Sequence, residues 1–241
     1  MTISRREAIR ISGSTLAGLS LGMLKCENLE AQAAAAQQQP WPDSLTEMPM
    51  RSGFPAALPL NADGSAPEHP ASEAGPITDP VFWRTPERKT PEIDYDYKNL
   101  RVKVDTRGLA KLGGTMHFSD LDKLPKVTHT FLLQCGAANP RGVVKWTGVR
   151  FSDFANTLGL VQSVHYVRFV ASDKMYNDEA MATVMHPQVM LAWMMNDQPI
   201  PPKHGAPLRL IIPFRYGNRS IKAIQEIMFA TPGLPMPPLQ G

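Results

Sequence analysis

Along residues 100–105 the apolar side chains Leu100, Val102 and Val104 alternate with Arg101, Lys103 and Asp105. A period of two puts one set on a single face, so this stretch predicts a half-buried strand. Four further apolar runs, 127–133, 166–171, 208–212 and 220–229, are of strand length and predict more of the same. Ser119 and Ser152 each stand before an acidic residue and a short amphipathic stretch, 120–124 and 153–158, and Gly159 follows the second. A serine at the N-cap can accept from an orphan backbone N–H, and glycine ends a helix in the left-handed region, so two short capped helices are predicted. No internal repeat is visible, and strands and helices do not alternate at the spacing of a doubly wound sheet. The pattern therefore predicts one compact α+β domain over residues 76–241. Before it, residues 34–75 are rich in Ala, Gln, Pro, Ser and Glu with little apolar periodicity, and predict a flexible leader.

Composition adds limits. With 241 residues and a hydrophobic fraction of 43%, the chain can build a real core in one good-sized domain. Its 23 prolines predict many loops and short elements, because proline removes a backbone donor. The 25 basic and 22 acidic residues nearly cancel and are scattered. Neither a nucleic-acid patch nor a polybasic membrane arm stands out.

The N-terminus carries a different signal. Ser4, Arg5, Arg6, Glu7, Ala8, Ile9 and Arg10 read as a twin-arginine export motif, followed by a mildly apolar stretch over 11–24 and by Ala31-Gln32-Ala33 as a cleavage site. The stretch is too short and too rich in Gly and Ser for a membrane span. An ordinary amphipathic helix is the alternative. The export reading makes residues 1–33 a signal peptide and the mature protein periplasmic, with no stable membrane insertion once the signal is removed. Twin-arginine export carries folded proteins, commonly because a cofactor is inserted first. Of the two cysteines, Cys26 falls inside the signal, which leaves Cys135 alone in an oxidising compartment. A lone buried cysteine can be a small hydrophobe; a lone available thiolate is a metal ligand or a nucleophile.

Common templates are missing. The histidines are dispersed, with no H-E-x-x-H and no paired Cys/His spacing for zinc; the region after the expected signal has no P-loop or G-x-S-x-G, and no C-x-x-C-H occurs. Met175, Met181, Met185, Met190, Met194 and Met195 surround His186 and could be read as a copper(I) site or as core filler. The segment 199–224, PIPPKHGAPLRLIIPFRYGNRSIKAI, is more informative. Arg209 sits between Leu208 and Leu210 in an apolar strand, with Arg215, Arg219 and Lys222 close behind. A guanidinium there either faces solvent from an edge strand or is buried against an anion such as a phosphate.

Together these stretches resemble the molybdopterin domain of the sulfite oxidase family. LQCGAANPR stands where that family has LQCAGNRR, and WTGVRFSDFANTLGL, YVRFVASD, VMLAWMMNDQPIPPKHGAPLRLIIP and YGNRSIKAI match its later segments in order, over roughly residues 78–228. The resemblance implies a single domain of mixed β-sheets with short helices, binding a molybdenum–molybdopterin cofactor. It makes Cys135 the thiolate ligand of molybdenum, and a soft anionic sulfur suits that metal. By the same match Asp173 contacts the pterin, His204 and Arg209 of the HGAPLR stretch hold the pterin and phosphate end, and Ser220, Ile221 and Lys222 supply a backbone-and-lysine contact. Arg84, in DPVFWRTPERKTP, matches the active-site arginine, and Arg141 corresponds to a second substrate-pocket arginine.

The activity implied is oxygen-atom transfer on sulfite or a similar small sulfur oxyanion, with electrons leaving one at a time to a haem-containing protein such as a c-type cytochrome. The chain resembles a short form without the C-terminal dimerisation domain, and ATPGLPMPPLQG has no counterpart of the family's catalytic tyrosine. That architecture is similar to a periplasmic methionine sulfoxide reductase catalytic subunit, which gives a second expectation. A non-catalytic or copper-binding exported protein is the third.

Overall fold

The computed structural model describes residues 57–78, 83–136 and 141–232. The expected signal over 1–33, with Cys26, lies outside the described residues, as does the expected leader up to residue 56. Alternation dictates the first strand. β1 (Arg101–Asp105) buries Val102 and Val104 and leaves Arg101 and Lys103 exposed. It pairs in parallel with β10 (Ile224–Ala230) and antiparallel with β2 (Gly114–His117). β10 pairs in turn with β5 (Tyr166–Ala171), and β5 with β6 (Tyr176–Ala180), giving the order β2-β1-β10-β5-β6.

The second sheet runs β3 (Lys126–Gln134), β4 (Arg141–Arg150), β7 (Met190–Met195) and β8 (Gln198–Pro199), with β9 (Arg209–Ile211) also on β7. β7 is buried on both faces. Its period of two sends Leu191 and Trp193 to one core and Met190 and Ala192 to another. The first core, with Phe151, Phe169 and Phe229 among its members, includes residues of both sheets; the second is built round Val144, Trp146 and Ile211. Where β4 crosses β7, Gly148 is required, since a Cβ there would lie 2.0 Å from the Leu191 carbonyl oxygen.

Helices are few and short. α1 (Phe118–Asp122) starts after His117 rather than at the expected Ser119, and the Asp120 carboxylate accepts from His117 N at 2.9 Å. α2 (Phe151–Leu158) ends at Gly159 in the left-handed region, as expected, but begins before Ser152. Its first N–H, on Phe151, is satisfied by Val189 O at 2.9 Å, so a tertiary bond replaces the serine cap. Phe151, Phe154, Ala155 and Leu158 form its buried stripe. α3 is the single turn Met181–Val184.

Residues 57–75 are hydrogen-bonded to the rest of the domain: His69 N bonds Thr130 O, Gly75 N bonds Val143 O, and Gln188 makes a two-way bond with the backbone of Ala66. The methionines do not converge on a metal. Met175, Met181, Met185 and Met194 pack on the first core, Met190 and Met195 belong to the second, and the His186 ring packs on Phe214. The strand expected over 220–229 starts only at Ile224, because residues 220–223 bond between the two sheets instead.

Candidate functional site

β3 delivers Cys135 one residue past its last ladder pair, Gln134 with Arg141. The thiol is free and half-buried. Arg141 is exposed, and its backbone N–H donates to Thr78 Oγ1 at 3.0 Å. Residues 137–140 between them lie outside the described residues.

Arg209 is buried, at 3% exposure, which removes the solvent-facing reading. The alternation of β9 puts it on the face of Ile211, with its guanidinium carbon 5.3 Å from the centroid of the Trp146 ring. Nη1 donates to the His204 carbonyl at 2.8 Å, while Nε is buried with no hydrogen-bond partner among the described residues. Burial pulls this guanidinium down to about 10, and the negative charge of a Cys135 thiolate opposes that shift. A buried cation with an unused donor is costly unless an anion meets it.

The other cations arrive by close backbone approach. Pro202–His204 forms a single 3-10 turn that buries His204 and ends at Gly205, φ 107°. A Cβ on Gly205 would lie 2.8 Å from the Lys222 Cβ, so glycine alone lets this turn touch the 220–223 segment. That segment is stitched on every side: Ile221 O accepts from Leu210 N at 2.9 Å, Ala223 N donates to Gly205 O at 3.0 Å, and Ser172 N donates to Ala223 O at 2.9 Å. Ala223 has φ 45°, a strained value for a residue with a Cβ. The Ser220 hydroxyl accepts from Ile212 N at 3.1 Å and the Ile221 side chain enters the first core, so both side chains serve the fold and only their backbone is left for a ligand.

Lys222 is pulled down to about 8, first by burial and then by Arg209, against the opposing charges of Asp173 and Cys135. Its Nζ lies 3.6 Å from the centroid of the Trp83 ring. Asp173 is buried in the β5–β6 turn, where Oδ1 accepts from Met175 N at 3.1 Å and Oδ2 from Arg84 N at 2.8 Å. The backbone of Arg84 is thus fastened to the cluster while its side chain stays exposed. The fold brings together Arg84, Cys135, Asp173, His204, Arg209 and Lys222, which come from distant parts of the sequence.

Two contributors escape a reading of the sequence. Trp83 lies in an irregular loop with no periodicity to mark it. Arg219 holds the turn before Ser220 by donating to buried Glu179 at 2.6 Å and to Asp178 O at 2.6 Å; only its place in a run of cations hinted at a role.

The donor set fits a molybdenum cofactor that brings most of its own ligands. Among the described residues no group of three His, Cys, Asp or Glu could hold a metal ion, and Cys135 is the soft ligand beside buried cations. The orphan Nε of Arg209 calls for an anionic oxygen. Among the described residues no helix is long and apolar enough to cross a membrane.

Comparison with known proteins agrees with this chemistry. Residues 88–233 match the oxidoreductase molybdopterin binding domain. The chain is 25% identical to the protein-methionine-sulfoxide reductase catalytic subunit MsrP of Campylobacter jejuni, over 61% of this chain and 55% of that one. It is 30% identical to mitochondrial sulfite oxidase of Rattus norvegicus, over 70% of this chain and 35% of the other. The chain thus spans about half the length, or less, of these relatives. In fold it is similar to the sulfane dehydrogenase SoxCD of Paracoccus pantotrophus, with a TM-score of 0.52 and 18% identity over 81% of this chain and 58% of that one. A match across most of the domain, on a fold that gathers a thiol and buried cations, shows that the chain belongs to the oxidoreductase molybdopterin-binding domain family, the family of sulfite oxidase.

Proposed function

We propose that the protein transfers an oxygen atom to sulfite or a similar small sulfur oxyanion and passes the released electrons singly to a c-type cytochrome in the periplasm. The observation that carries this is the pair of buried cations that feel the Cys135 thiol, Arg209 and Lys222; Arg84, in the loop tied to Asp173, and Arg141, paired with Gln134, are exposed. Buried and exposed cations suit different tasks.

Cys135 would bind molybdenum as the thiolate, with Lys222 and Arg209 close enough to feel its charge. Asp173, His204, Arg209 and Lys222, with the backbone of Ser220 and Ile221, would hold the pterin and its phosphate. The bound cofactor would supply the oxygen-atom and electron-pair transfer. Arg84 and Arg141, free to meet solvent, would draw the substrate oxyanion to the mouth of the site and steady charge as the new S–O bond forms. Product then leaves as the more highly oxidised oxyanion. Export through the twin-arginine route would follow cofactor insertion.

The similarity to methionine sulfoxide reductase catalytic subunits favours a second reading, reduction of sulfoxides by the same cofactor run in the opposite direction. Paired assays separate the two. Sulfite with oxidised cytochrome c should give turnover that weakens in Arg84→Ala and Arg141→Ala, through a raised KM as capture is lost and a lowered kcat as charge stabilisation is lost. Turnover only with reduced dye and methionine sulfoxide would replace the first reading by the second.

A further inference from the structure

We propose that Trp83 belongs to the cofactor-binding machinery: its indole N–H donates to an acceptor atom of the bound molybdopterin while its ring seats the Lys222 ammonium. This rests on the molybdopterin reading of the site. Trp83 is 4% exposed, and its Nε1 is buried with no hydrogen-bond partner among the described residues. Buried N–H groups nearly always have partners, so an orphan beside a binding site marks an acceptor supplied by a ligand. The position is not incidental. Lys222 Nζ stands 3.6 Å over the ring face, and the next residue, Arg84, is anchored through its N–H to Asp173.

The chemistry of the neighbours identifies the class of partner. Arg209 Nε is a second orphan donor, and Arg209 acts electrostatically on Lys222, whose ammonium stands over the Trp83 ring. The nearby carboxylate is engaged, because both oxygens of Asp173 accept from backbone N–H groups. With that carboxylate engaged, orphan donors beside an ammonium suit an anionic, acceptor-rich group such as a phosphate-bearing pterin. The cation over the indole face leaves the N–H, which lies in the ring plane, available in another direction.

Two substitutions separate the roles. Trp83→Phe keeps an aromatic face for Lys222 and removes the N–H; Trp83→Leu removes both. Molybdenum and pterin per folded chain would be measured before and after prolonged dialysis of protein exported in its native state, with circular dichroism checking the fold. Trp83→Phe should lose cofactor about tenfold faster than wild type, and Trp83→Leu faster still. A second measurement uses wild type alone: on cofactor loading one indole 1H–15N resonance should move downfield. Trp83→Phe retaining cofactor like wild type, or no indole resonance moving on loading, would overturn the role of Trp83 and leave the molybdopterin reading standing. Wild type without molybdenum or pterin would overturn both.

Discussion

Replacing Arg209 by Met removes a buried charge without opening a large void, and the structure fixes the sign of two opposite effects. Burial lowers this guanidinium from its ordinary value to about 10. At about 1.36 kcal/mol per pK unit, holding it charged inside the cofactor-free protein costs roughly 3 kcal/mol. The sign follows from linkage: with the folded value depressed, the full cost applies below about 10 and fades only as pH rises toward the unfolded value. Losing the bond to the His204 carbonyl costs back about 1–2 kcal/mol. At neutral pH the cofactor-free variant should therefore be more stable than wild type by about 1–2 kcal/mol, which is about 2–8 °C in Tm for a domain of this size. Cofactor loading should fall sharply at the same time, because the buried anion loses its partner. Thermal and urea unfolding of both cofactor-free proteins, with metal and pterin analysis of the loaded ones, would measure both effects. A variant that is less stable and still loads like wild type would refute the reasoning.

Other consequences can be checked alongside. Lys222 titrates at about 8 instead of 10.5, so cofactor-free wild type should gain unfolding free energy as pH rises between those values, and urea titrations should show that gain missing from Lys222→Met. Gly205→Ala forces a Cβ to within 2.8 Å of the Lys222 Cβ at φ 107°, and should cost about 1–3 kcal/mol by thermal unfolding and reduce molybdenum per chain. Glu179→Ala strips the buried partner from Arg219, and because that side chain is 35% exposed the loss should be moderate, about 1–3 kcal/mol, with reduced loading since the turn leads into Ser220–Lys222.

What the sequence revealed divides along physical lines. β5 coincides with the expected run 166–171, and β3, β9 and the end of α2 lie within a residue or so of expectation, because burial on one face imposes a period that survives in the sequence. Helix starts were less legible. At Phe151 a long-range bond to Val189 does the work of a cap, and at the start of α1 the Asp120 carboxylate reaches back to the His117 N–H in place of a Ser119 cap. Residues 220–223 read as strand because they are apolar enough, yet Ala223 turns through φ 45° to carry Lys222 to the site. Lone residues behave in the same way. Cys135 and Arg209 stood out as chemistry without company, whereas Trp83 matters only through contacts at 3.6 Å that no local pattern encodes. The partition of β7 between two cores likewise depends on what surrounds it.

The central claim is that the Cys135 thiolate binds molybdenum in a pterin cofactor. Molybdenum K-edge absorption spectroscopy of natively exported wild type and Cys135→Ser tests it most directly. Wild type should carry molybdenum with a thiolate sulfur beyond those of the pterin, and Cys135→Ser should lose that scatterer and its turnover with an unchanged circular dichroism spectrum. Wild type devoid of molybdenum, or a serine variant with the same sulfur shell and full turnover, would contradict the account.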